Sequence, residues 1–113
     1  MEKKIVKKID IHVHTIEEPD LLRPRGDTFA TPEQLLAMYD QLGVEKAVLL
    51  PILSQEGGYD TNTNREILRI VRRWPDRFYW FCNVDPRAHQ NAPGSDLVYL
   101  LEHYKKLGAK GVG

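Results

Sequence analysis

The chain has one cysteine in 113 residues, Cys82, so no disulfide can form within it and a reducing compartment is the expectation. It also lacks an excess of either charge, with 16 lysines and arginines against 16 aspartates and glutamates. No single-signed field is therefore available to recruit nucleic acid or an anionic membrane. The basic residues that do cluster, Lys3, Lys4, Lys7 and Lys8 and then Arg69, Arg72, Arg73 and Arg77, read as solvated faces. No apolar run approaches the roughly 20 residues that cross a bilayer, and the opening MEKKIVKKIDIHVHT has no signal-peptide core. The expectation is a cytoplasmic protein with neither a membrane nor a nucleic-acid partner. A phosphate-cradling loop is missing too, because Gly57-Gly58 is followed neither by a lysine–serine pair nor by the dinucleotide glycine spacing.

What the chain does have is regular alternation of strand and helix signals. Lys4 to His14 reads as a strand, with β-branched residues and a period of two from Ile9 onward. Thr15 to Phe29, holding Pro19, Pro24 and Gly26, reads as a long loop. Thr31-Pro32-Glu33-Gln34 then opens a helix, with Thr31 as N-cap, Pro32 at its first position and Gln34 closing a capping box. Leu35, Leu36, Tyr39 and Leu42 recur at helical spacing until Gly43 stops them. Val44 to Ile52 is a second strand without alternation, as expected when both faces are covered, and Ser54 to Asn62 is a second loop. A second helix has Thr63 and Glu66 as a capping box, an Ile67, Ile70, Val71 and Trp74 stripe, and Pro75 at its end. Phe78 to Val84 is a third strand, and the loop Asp85 to Gly94 leads to Ser95 as N-cap of a third helix bearing Leu97, Leu100, Leu101, Tyr104 and Leu107. After Gly108, Ala109 to Gly113 starts a fourth strand. Helix end, glycine and strand start recur as YDQLGVEK and YKKLGAKG, the signature of successive βα units.

This order predicts an α/β fold of parallel strands joined by helical crossovers. Four strands and three helices make half of a (β/α)8 TIM barrel, which in full needs about 250 residues. Residues 1–113 are accordingly read as a partial barrel domain continuing beyond Gly113, with a small self-contained open sheet as the alternative. The uncovered edge strands invite association, so a homo-oligomer stays open as a partner state.

Asp10, His12 and His14 occupy alternate positions of the first strand, which predicts that all three project from one face while Ile9, Ile11 and Val13 project toward the helices. Ionisable groups on one side of a buried strand are costly unless paired, solvated or bound to a cation. Two imidazoles two residues apart on a twisted strand can converge on one divalent ion at about 2.0–2.1 Å. The remaining ligands must come from elsewhere.

The segments IDIHVHT, MYDQLGVEKAVLLPI, NREILRIVRRWPDRFYWFCNVDPR and LEHYKKLGAKGVG together resemble the N-terminal portion of the amidohydrolase superfamily. The resemblance is to the amidohydrolase-2 branch of TIM-barrel metal-dependent hydrolases that also holds enzymes like aminocarboxymuconate-semialdehyde decarboxylase. It implies one or two divalent metals, zinc first and manganese as the alternative, at the C-terminal mouth of the barrel. His12 and His14 match the first-strand metal ligands, and Asp10 matches the acid that precedes them without ligating. Further ligands and the catalytic acid or base are implied on later strands, beyond Gly113.

Other residues are weaker candidates for substrate binding. Arg23 and Arg25, in the loop after the histidines, have the planar fork that matches a carboxylate. Asn83 and Asp85 end the third strand, and His89 lies in the loop after it. His103 reads as an exposed helical histidine, Cys82 as a small core residue, and Trp74, Phe78, Trp80 and Phe81 as packing aromatics rather than base-stacking platforms. The leading functional expectation is a metal-dependent hydrolase of amide or ester bonds in a small molecule. A metal-dependent decarboxylase of a small aromatic or unsaturated acid is one alternative, and a non-enzymatic binding or structural module is another.

Overall fold

The computed structural model describes residues 4–19, 22–52, 62–87 and 90–113. Its elements are β1 (Lys8–Val13), α1 (Pro32–Leu42), β2 (Val44–Leu49), α2 (Asn64–Arg73), β3 (Phe78–Cys82), α3 (Val98–Lys106) and β4 (Gly111–Val112). The strands form one parallel sheet in the order β1-β2-β3-β4, a curled, open half-barrel with β1 and β4 at its edges. All four strands and three helices occur in the expected order, each strand shorter than its sequence signal. The Gly57-Gly58 loop lies outside the described residues.

Local chemistry explains most of the boundaries. Thr31 accepts from the Gln34 backbone N–H while the Gln34 side chain accepts from the Thr31 N–H, a complete capping box ahead of Pro32. Gly43 ends α1 at φ +76°, and Gly108 stands at φ +100° two residues after α3. The two similar segments thus share a left-handed glycine between helix and strand, a conformation that only glycine adopts without strain.

Two caps differ from expectation. At α2 Thr63 accepts from the Glu66 N–H, but the Glu66 carboxylate reaches across to the Glu17 N–H at 3.0 Å, so the box is only half formed. At α3 the N-cap is Leu97 with no side-chain bond, because Ser95 Oγ accepts from the Ala92 N–H and Asp96 accepts from the Val98 N–H. In each case the polar side chain bonds a backbone N–H other than the one its expected capping role required.

The core lies between the sheet and the helices. Ala47 pairs with Phe78 and Leu49 with Trp80, all buried, and Leu35, Leu36 and Tyr39 of α1 and Ile67 and Ile70 of α2 close over them. Tyr104 of α3 packs edge-on to Trp80, with ring centroids 6.2 Å apart, and Trp74 does the same to Phe78. Cys82 is part of this core, and burial pushes its thiol up from the ordinary range. α3 has no fully buried residue, so it is the lightest of the three covers. The opposite face of the sheet is open: Tyr79 is exposed there, as are Ile9 and Ile11 on β1. No helix among the described residues is long and apolar enough to cross a membrane.

Candidate metal centre

β1 departs from simple alternation at the residues of greatest chemical interest. Asp10 is partnered with Ala47 and Val13 with Leu49, so β1 advances three residues where β2 advances two. One extra residue is accommodated as a bulge. Partnered residues of a parallel pair share a face, so Asp10 and Val13 both turn toward the helices, and Ile11 and His12 between them do not. Ile11 is 75% exposed and His12 is exposed, whereas Val13 packs on the core. The expected parity, with Asp10 beside the histidines and Ile11 against the helices, is therefore corrected. The expectation assumed an unbroken period of two, which the bulge interrupts.

Asp10 is held from two sides. Its Oδ2 accepts from the Tyr39 hydroxyl at 2.6 Å and its Oδ1 from the His12 backbone N–H at 3.1 Å. Burial first, then the Asp10 carboxylate, push the Tyr39 hydroxyl above its ordinary range, so it remains a donor. Nothing in the sequence pattern distinguished Tyr39 from its neighbours on the apolar stripe.

His12 and His14 converge on each other. Their Nε2 atoms are 3.2 Å apart and their rings meet edge to face, with centroids at 5.0 Å. His14 Nδ1 lies 2.9 Å from the Leu50 carbonyl oxygen, which can only accept, so Nδ1 carries a proton and the Nε2 of the neutral ring keeps its lone pair. Two nitrogens bound to one tetrahedral ion at about 2.0–2.1 Å stand about 3.3 Å apart. The donor set and its spacing thus fit a divalent cation. The same separation also suits a hydrogen bond when His12 carries its proton on Nε2. Among the described residues no group of three or more His, Cys, Asp or Glu side chains converges as a full ligand set.

The loop after β1 is fastened immediately behind His14. Thr15, fully buried, donates its hydroxyl proton to the Ala30 carbonyl at 2.7 Å, and the Asn62 side-chain amide donates to the Thr15 carbonyl. Glu17 pairs with Arg69 at 2.6 Å and with Arg73 at 3.6 Å, and Arg73 continues to Glu33 at 2.6 Å, so α1, α2 and the loop share one ion network. Phe29 packs edge-on to His14 at 5.7 Å and carries the Arg23 guanidinium on its ring at 4.4 Å. Thr15, Phe29 and Asn62, like Tyr39, had no distinguishing sequence signal. Their roles depend on which distant backbone they meet.

The substrate-binding candidates fall out differently. Arg23 approaches the histidines through Phe29, but its Nε and Nη2 are already closed on the Asp27 carboxylate at 3.1 and 2.6 Å. Arg25 is exposed in the same loop. Asn83 accepts at its carbonyl from Asn64, donates its N–H to Asn64, and donates its side-chain amide to the Gly113 carbonyl, tying the end of β3 to α2 and β4. His89 lies outside the described residues. His103 is exposed on α3 against Tyr104. A cavity of about 470 Å³ opens at the other end of the strands between Ile5, Tyr39, Gly43 and Arg77. Four of its charged residues are paired, Lys7 with Glu45 and Arg77 with Asp40, and it brings no histidines together, so it is a weaker candidate than the histidine pair.

No family model matches the chain, and no curated protein matches it. Among solved structures it is similar to a probable 2-pyrone-4,6-dicarboxylic acid hydrolase from Acinetobacter baumannii, whose crystal structure has citric acid bound. The TM-score is 0.58 at 20% identity, over 95% of this chain and 37% of that one. The chain spans little more than a third of that protein's length. At this identity the likeness is one of fold, and it places the four strands and three helices as a piece of a barrel-like α/β architecture.

Proposed function

We propose that this chain carries the first-strand part of a metal-dependent hydrolase site, with His12 and His14 holding a divalent ion, zinc first. The observation that carries the reading is the meeting of the two Nε2 atoms at 3.2 Å with His14 Nδ1 committed to the Leu50 carbonyl. A ligating histidine commonly gives its other ring N–H to a carbonyl or carboxylate, which fixes the tautomer and aims the lone pair. A bound divalent ion supplies an acidified water and a polarised carbonyl.

The substrate class we propose is a small carboxylated ester, lactone or amide. The similar A. baumannii protein is named for hydrolysis of a cyclic ester dicarboxylate and was crystallised with a tricarboxylate, which favours hydrolysis over decarboxylation. Arg25 is the loop cation we assign to the substrate carboxylate, because the Arg23 fork is closed on Asp27. Further ligands and the proton-transferring group come from outside this chain's described residues.

The test is metal content by plasma mass spectrometry after dialysis and again after zinc or manganese loading, beside turnover of a panel of small lactones, esters and cyclic amides. The wild type should hold a divalent ion, and the His12→Ala/His14→Ala double variant should lose it together with turnover. Undiminished metal in the double variant overturns the assignment. A protein that neither holds metal nor turns over any substrate is a binding or structural module instead.

A further inference from the structure

The bulge in β1 creates a problem that the local sequence does not solve. An extra residue between Asp10 and Val13 leaves that stretch out of register with β2, yet His12 at its centre must be held steadily if it is to bind anything. β1 is also an edge strand, so its outer side has no neighbouring strand among the described residues to stiffen it. What restrains the stretch comes from the helix layer. Tyr39, on the third turn of α1 and only 3% exposed, aims its hydroxyl at Asp10 Oδ2 at 2.6 Å. The other oxygen of that carboxylate takes the His12 N–H at 3.1 Å. A path of two hydrogen bonds therefore runs from the buried face of α1 to the backbone of His12, through a carboxylate that the pairing of Asp10 with Ala47 turns toward the helices.

We infer that Tyr39 is a positioning residue: by gripping Asp10 it holds the bulged backbone that presents His12 Nε2 to His14 Nε2. The inference rests on the proposed metal reading for its consequence, though not for its geometry. A hydroxyl that stays protonated is a steady donor, and the burial that keeps it so also fixes its ring between the sheet and α1. The carboxylate is suited to the linking role because it accepts on both oxygens at once, one bond charge-assisted from a phenol and one from an amide. Asparagine keeps much of this arrangement: its Oδ1 still accepts from His12, and its amide N–H can donate to the Tyr39 oxygen, which accepts as well as donates.

The experiment compares the full-length wild type with Tyr39→Phe, Asp10→Ala, Asp10→Asn, His12→Ala/His14→Ala, and Ile70→Val as a control that loosens the core away from the site. Zinc affinity is measured by competition with a chromogenic chelator well below each variant's melting temperature. The amide exchange of His12 and the ring 15N shifts of His12 and His14 are measured in metal-free protein. Tyr39→Phe and Asp10→Ala should each weaken zinc about 10–100-fold, the range expected when an outer partner of a ligand is removed. Their combination should be no worse than Asp10→Ala alone, Asp10→Asn should retain most of the affinity, and Ile70→Val should leave it unchanged. Faster His12 amide exchange in Tyr39→Phe should accompany these losses.

The inference is overturned if Tyr39→Phe matches the wild type in both zinc affinity and His12 exchange, or if Ile70→Val weakens zinc equally. If the wild type binds no zinc, or the double histidine variant binds it undiminished, the metal reading fails. The exchange and 15N measurements then decide the positioning role by themselves, supporting it if Tyr39→Phe frees the His12 amide and rejecting it if not.

Discussion

His14 Nδ1 donates to the Leu50 carbonyl at 2.9 Å, and the Leu50 N–H donates to the carbonyl of Val13 at 3.1 Å, so a side chain extends the β1 to β2 ladder one rung past its last backbone pair. The bond joins residues 36 positions apart in the chain. It ties the tautomer of His14 to the mutual placement of the two strand ends.

Because the two nitrogens of His14 have separate duties, they can be separated by substitution. An asparagine amide overlays Nδ1 and can keep the bond to Leu50, whereas glutamine extends toward Nε2 and leaves that carbonyl without its partner. His14→Asn should stay within about 1 kcal/mol of the wild type, while His14→Gln should lose about 1–3 kcal/mol for a part-buried acceptor left unmet. Both should lose zinc. Denaturant titration and metal analysis of the apo and zinc-loaded proteins check this, and equal stability of the two variants would contradict it.

Gly43 and Gly26 both have left-handed backbones, at φ +76° and +82°, but only Gly43 is crowded. A Cβ there would collide with Ile5 Cγ2 and stand 3.2 Å from the Val6 carbonyl, while one at Gly26 would meet nothing within 4 Å. Gly26→Ala should cost about 1–2 kcal/mol from conformation alone. Gly43→Ala should cost more, since the segment before β1 must also shift. Chemical denaturation of the two variants side by side tests the ordering.

Glu66 gives a pH prediction. Burial, with the Glu17 charge adding and Arg69 opposing, leaves its carboxyl above the ordinary value. In the window between the ordinary and the raised pKa the folded state holds a proton that the unfolded state has released. Stability from this group is therefore present at low pH and falls as pH rises through that window. Glu66→Gln keeps an oxygen for the Glu17 N–H and removes the charge. Between pH 4 and pH 7 its melting temperature should rise relative to the wild type, and parallel curves would exclude the effect.

Cys82 should be chemically quiet. It is 2% exposed and burial pushes its thiol up, so little thiolate is present at neutral pH. Labelling by an aromatic disulfide reagent should be slow in the native protein and complete once it unfolds. Rapid native labelling would mean that the cover provided by α3 opens readily.

The order of strands and helices, the Thr31 capping box, the Gly43 stop and the core aromatics were legible in the sequence because each depends on residues a few positions apart or on a periodic apolar stripe. The pairing of His12 with His14 was legible for the same reason, since the two stand two positions apart at the end of β1. Tertiary structure alone decided the rest. Whether Asp10 faces the histidines or the helices depends on the register of β1 against β2, which the partner strand and the Tyr39 hydroxyl set from 29 or more residues away. Glu66 left its cap for the backbone of Glu17, 49 positions away, because a polar side chain can take a donor that only the folded chain brings within reach. Periodicity determines which elements form; register and long-range hydrogen bonding determine where each functional group points, since a single added residue in a strand reverses the face of everything that follows it.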